Sequence, residues 1–277
     1  MYKFLKIRES IEKNNLSWFW LSSNPNAIEL LKNNIEKINW QMLCSNPNGL
    51  EILENYKHEI IFKIISENPN ATHILKKKLN MIFWKKMSLN SNQNAIELLK
   101  INIDKIYWTN LSLNPSAINL LEQHLDKINW SLLSENQNAI HLLEKNKNKI
   151  DWKNLSLNPN AINLLKQNFN KICWINLSAN KNAIQLLEQH QDKIDWLMLS
   201  KNPNAIHLIE QNLNKINWFL LSINPCIFTY DYIKMKNEMN KSGLLKELSI
   251  KVFCPIRLQK ICDTYNIDFD ELIEILN

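Results

Sequence analysis

Apolar positions along this chain recur every 22 residues. Read from its aromatic residue, one period runs aromatic, two variable positions, Leu, Ser, one variable position, Asn and usually Pro. Asn-Ala-Ile and a Leu pair follow, leading into a polar stretch that closes on Lys and Ile. Trp18, Trp40, Phe62, Trp84, Trp108, Trp130, Trp152, Trp174, Trp196 and Trp218 hold the aromatic position, and the step is 22 except from Trp84 to Trp108, where it is 24. These ten aromatics number the copies below. In copy six, Ile128, Trp130 and Leu133 predict a short first helix over residues 127–134, capped by Asp126. Ala139, Ile140, Leu142 and Leu143 predict a second over 137–145, capped by Asn136. Pro suits the position after that Asn, where a helix needs no N–H. Asn34, Asn102, Asn146, Asn168 and Asn212 are expected to end the second helices in left-handed C-caps.

Helices this short are marginal alone, so stacking must hold them. The expectation is an all-α fold, a right-handed solenoid of about ten 22-residue helix-turn-helix repeats. A leucine-rich repeat fits less well, because its third apolar position would fall on Ser23, Ser45, Glu67, Glu135 or Lys201. Residues 1–17, with Leu5, Ile7, Ile11 and Leu16, read as a lead-in helix covering the first copy. Residues 18–225 form the array, and the two extra residues within 88–96 fall in a loop, where insertion costs little. Residues 226–277 break the period and read as three or four helices, a C-terminal cap hiding the last apolar face.

The repeat L-S-x-N-P-N-A-I-x-L-L-E-x-N-x-x-K-I-x-W resembles the Asn/Pro/Trp repeat proteins multiplied in giant DNA viruses of the mimivirus and marseillevirus kind. The segment after it is similar to theirs through Asn224, Pro225, Ile227, Phe228, Asp231 and Tyr232, then Lys251, Val252, Phe253, Pro255, Arg257 and Leu258; Cys254 stands where such tails often carry His. The resemblance covers nearly the whole chain. It implies a viral factor and brings no activity with it.

Composition narrows the function classes. Glycine is confined to Gly49 and Gly243, too little for a phosphate-cradling loop, and no G-x-S-x-G or H-E-x-x-H motif is present. An enzyme is not expected, nor a cofactor or a metal. His124 and His190 share one repeat position, and His73, His141 and His207 another; equivalent positions three copies apart lie too far apart to share an ion. Five cysteines without C-x-x-C spacing suit a reducing compartment. With no apolar signal region at the N-terminus and no run of membrane-spanning length, the expected location is the cytoplasm. The charge of +6, from 33 basic and 27 acidic residues, is mild and interleaved. Lys37, Lys105, Lys127, Lys149, Lys171, Lys193 and Lys215 form a column that could track phosphates, but nearby acidic residues favour a solvated, mixed-charge face. The aromatic column reads as core and the Asn column as helix caps.

The function these features favour is non-enzymatic protein binding, by a monomer, with a host or viral protein as partner. Single-stranded nucleic-acid binding and a structural spacer are the alternatives. The two positions after each aromatic vary most, and their apolar members gather towards the two ends of the array. Trp20, Met42, Leu197, Met198, Phe219 and Leu220 at these ends, together with Leu132 of copy six, are the candidate partner-binding residues.

Overall fold

The structure is a computed structural model that describes residues 4–243, 254, 258–262 and 268. Its described part is a regular array of short helices, as the 22-residue period predicts. Copy six shows the unit: a first helix Trp130–Glu135, a turn, a second helix Ile140–Lys145, and a 3-10 helix Lys147–Lys149. The predicted first helix over 127–134 is in fact two pieces. A 3-10 helix, Leu125–Lys127, is separated from the α-helix by extended backbone at Ile128. That break turns the Ile128 side chain into the core. The cap is therefore Asn129 instead of Asp126, its side chain accepting the Leu132 N–H at 3.0 Å.

The second helix starts later than predicted. Asn136 accepts the Asn138 N–H at 3.0 Å, an Asx turn, and the α-helix begins only at Ile140. The expected left-handed C-caps are absent as well: Asn146 has φ −127° and ψ 48°, and His124 and His190 are similar. The chain runs directly into a 3-10 turn and needs no left-handed reversal. Asn34, Asn102, Asn146, Asn168 and Asn212 instead donate their side-chain N–H to the carbonyl four residues back. In copy four the two extra residues build a second Asx turn, with Asn90 accepting from Asn92 and Asn92 from Asn94. The helix after it, Gln93–Lys100, is correspondingly long.

The centre of each copy is not the aromatic. Leu21, Leu43, Ile65, Met87, Leu111, Leu133, Leu155, Leu177, Leu199 and Leu221, three residues after it, are buried. So are the alanines of the Asn-Ala-Ile position, from Ala27 to Ala205, and the second Leu of each pair, from Leu31 to Leu187. The aromatics are only half-buried. Each opens a helix of four to six residues, so it stands at the edge, and the residue one turn later reaches the interior. Gly49 replaces Ala in copy two, where a Cβ would lie 2.5 Å from the Leu43 carbonyl oxygen.

Two polar ladders join the copies. The Asn before the turn is buried in every copy. Its side-chain N–H donates to two carbonyls of the preceding copy, as Asn158 does to Ser134 and Asn136. Across the array these bonds measure 2.7–3.3 Å. The Ser after the buried Leu donates to the aromatic residue's carbonyl and accepts the N–H that precedes the next aromatic, as Ser134 accepts from Asp151 at 3.0 Å. Copy two uses Cys44, whose sulfur receives the Ile61 N–H at 3.4 Å. Every buried side-chain polar atom described has a partner, as a low-dielectric interior demands.

These ladders do not end. Asn24 of copy one donates to Ser222 and Asn224 of copy ten, both at 3.0 Å. Asn26 donates to Pro225, and the Ser17 N–H donates to Ser222 Oγ at 2.9 Å. Copy one thus stands on copy ten as each other copy stands on its predecessor, and the array is a closed ring of ten. The face that residues 226–277 were expected to hide is met instead by copy one.

Nor is the N-terminal segment a lead-in helix. It carries strand β1, Leu5–Ile7, and a 3-10 helix, Lys13–Asn15. The 3-10 helix and the buried Leu16 take the places that Ile35–Lys37 and Ile38 hold before Trp40. They supply the second half of copy ten, whose own sequence departs after Pro225 into strand β2, Phe228–Tyr230. The strands pair antiparallel, the Arg8 N–H donating to Ile227 and the Asp231 N–H to Phe4.

The chain divides into two compact units: the ring, from Ile7 to Thr229, and a unit of residues 4–6 with the described residues from Tyr230 on. The second contains the helix Tyr232–Lys241, capped by Asp231. The further helices expected for 244–277 lie mostly outside the described residues.

Candidate interaction surfaces

Outward chemistry is set by position within the copy. The first helix opens with a half-buried aromatic, followed by an exposed position and then a half-buried one. The second of these positions packs at the junction. Asn110 donates to the Lys85 carbonyl and Asn176 to that of Lys153, each in the preceding copy. Five of the candidate residues, Trp20, Met42, Leu132, Met198 and Leu220, occupy this half-buried position. Leu197 and Phe219 occupy the exposed one, at 50% and 62% exposure.

Closure changes what the exposed position means. In chain order its apolar members lie at opposite ends. In the ring Ile175, Leu197, Phe219 and Phe19 belong to the consecutive copies eight, nine, ten and one, and all four are exposed. Gln41, Lys63, Lys85, Thr109, Ser131 and Lys153 fill the other six copies. The sequence reading noted the apolar ends but missed Phe19 and Ile175, which the same column would have shown.

A second group was missed altogether. The residue before each aromatic is the natural N-cap, and Asn39, Asn129, Asp151, Asp195 and Asn217 cap through their side chains. Copies three, four and five carry Ile61, Phe83 and Tyr107 there, with no capping bond and with 38%, 37% and 51% exposure. Between copies four and five lies an open cleft of about 390 Å³, with Phe83, Trp84, Lys85, Asp104, Lys105 and Tyr107 in its lining.

The lysine column is committed to the aromatics. Lys37, Lys105, Lys149, Lys171 and Lys215 place Nζ over Trp18, Trp84, Trp130, Trp152 and Trp196 at 4.4–4.9 Å from the ring centroids. Lys127 and Lys193 pair instead with Asp126 and Asp192. His124 and His190 pack against Trp108 and Trp174. His141 and His207 each meet a Glu of the preceding copy's second helix, Glu122 at 2.8 Å and Glu188 at 2.6 Å. At the junction of copies nine and ten Glu210, the equivalent Glu of copy nine, takes Ser10 and Arg8 of the N-terminal segment instead.

Burial pushes the Cys44 thiol up and that of Cys226 up to about 12, so neither is a ready nucleophile. Among the described residues no group of three His, Cys, Asp or Glu could hold a metal ion, and no helix is long and apolar enough to cross a membrane.

Compared with known protein families, with curated proteins and with solved structures, the chain matches none.

Proposed function

We propose that this chain is a non-catalytic repeat ring that binds another protein, of host or viral origin, through the apolar arc of copies eight, nine, ten and one. The supporting observation is the continuity of that arc: Ile175, Leu197, Phe219 and Phe19 are 56%, 50%, 62% and 42% exposed in four adjacent copies. Grouped exposed apolar side chains mark contact surfaces, whereas scattered ones need no explanation. A cytoplasmic setting accords with cysteines that form no disulfide among the described residues.

The test replaces Leu197 and Phe219 together with Ser. Both side chains are exposed, so the unfolding midpoint should hold, as surface substitutions shift stability by about 0.5 kcal/mol or less. Affinity capture from infected-cell lysate should then lose a partner that the unaltered chain retains. An unchanged captured set sinks the arc as the binding surface, and a large loss of stability makes it part of the fold.

A further inference from the structure

The apolar stripe on copies three to five lies outside that arc, on Ile61, Phe83 and Tyr107. Each stands at a helix N-cap, where Asn or Asp binds a free backbone N–H in other copies and is the favoured residue type. Three consecutive copies forgo that bond and leave a large apolar side chain partly exposed instead.

The charged groups around the stripe are mostly basic. Lys63 and Lys85 occupy the exposed position two residues after Ile61 and Phe83, and Lys105 lines the cleft with Asp104 as the one acid. Lys86 is paired with Glu67, but Lys63, Lys85 and Lys105 have no carboxylate partner among the described residues. Lys63 Nζ lies 5.4 Å from the Phe83 ring centroid, and Lys105 Nζ lies 4.9 Å from that of Trp84. Ammonium groups therefore lie against one face of each of those two rings. What the stripe offers is apolar side chains beside cations that no carboxylate neutralises among the described residues.

We propose that copies three to five form a docking stripe for an acidic, apolar-rich peptide segment, with Ile61, Phe83 and Tyr107 as its apolar seats and Lys63, Lys85 and Lys105 as its carboxylate partners. An extended segment of about ten residues, at about 3.3 Å each, spans three copies packed roughly 10 Å apart. This surface shares with the function proposed above only the premise of a protein partner; its residues differ, so either can fail alone.

The experiment pans a display library of random peptides of about that length on the full chain. It then measures the selected peptides against two variants. In the first, Ile61→Asn, Phe83→Asn and Tyr107→Asn together restore the cap found elsewhere. Selected peptides should combine Asp or Glu with large apolar residues and should lose at least about tenfold in affinity for this variant, while its unfolding midpoint stays level or rises. In the second, Lys63→Glu with Lys85→Glu should shift selection towards basic peptides. The proposal is overturned by an absence of enrichment, by peptides without acidic bias, or by binding that ignores both variants. It also fails if the triple-Asn variant unfolds earlier, which would make those side chains structural. A single-stranded oligo-dT bound by the unaltered chain and lost from the lysine variant would assign the stripe to nucleic acid instead.

Discussion

The junction between copies six and seven and the junction between copies ten and one are built alike, yet only the first is spanned by the chain. At the interior junction Asn158 donates to Ser134 and Asn136 at 3.0 and 2.7 Å, and the Asp151 N–H reaches Ser134 Oγ at 3.0 Å. At the closing junction Asn24 donates to Ser222 and Asn224, and the Ser17 N–H reaches Ser222 Oγ, all at 2.9–3.0 Å. The side-chain ladder therefore defines a junction, and the peptide connection is incidental to it. The two differ only on the second-helix side. There copy ten has no second helix of its own: after Pro225 its chain enters β2, which pairs with β1.

Removing residues 1–16 should separate the two junctions most strongly. It takes away the buried Ile7, Ile11 and Leu16, worth roughly 1.5–3 kcal/mol each. The expected outcome is a lower unfolding midpoint, with amide-exchange protection lost first in copies nine, ten and one while copies five to seven stay protected. Uniform protection after the deletion would mean that the ring is not closed by this segment.

Asn24→Ala and Asn136→Ala form a finer comparison. Each removes two donors to buried carbonyls and an Asx-turn acceptor, which costs about 2–4 kcal/mol. In a closed ring the two losses should be nearly equal in denaturant titration. In an open array Asn24 would have no preceding copy, and its loss should fall to the capping share of about 1 kcal/mol.

Cys44→Ser is the smallest change and should go the other way. The nine equivalent positions are Ser, and the thiol is a weaker acceptor for the Ile61 N–H, at 3.4 Å. Restoring the hydroxyl should stabilise by roughly 0.5–1 kcal/mol. A destabilised Cys44→Ser protein would show that copy two has repacked around sulfur, where Gly49 already allows closer backbone approach than Ala.

Much of the unit was legible in the sequence. The period, the two helices of each copy and the buried Leu and Ala positions follow from spacing alone. The Asn column was read as capping, and it does accept an N–H two residues on. Its second task, donating across to the preceding copy, could not be read, because one copy's sequence does not say how near its neighbour stands. The Trp column was misread as core because hydrophobic character does not reveal that the helix begins at that residue.

Closure is harder still, being the sum of ten small rotations that no single residue encodes. One local signal was available. Leu16-Ser17-Trp18 matches Ile38-Asn39-Trp40, so the end of a period precedes copy one. Reading Leu5, Ile7, Ile11 and Leu16 as one helix concealed it.

The ring also makes copy number a geometric quantity. An open array can gain or lose a unit by duplication or deletion and remain the same kind of object, since each unit answers only to its neighbours. Here a full turn must be divided among whole units, about 36° apiece for ten and about 40° for nine, from 360° over the number of copies. A gene that slips by one 66-base period (three bases for each of the 22 residues) thus encodes either a strained circle or one with a gap. Substitutions at the exposed positions of a copy change what the surface presents without touching the junctions, whereas the count of copies is held by arithmetic.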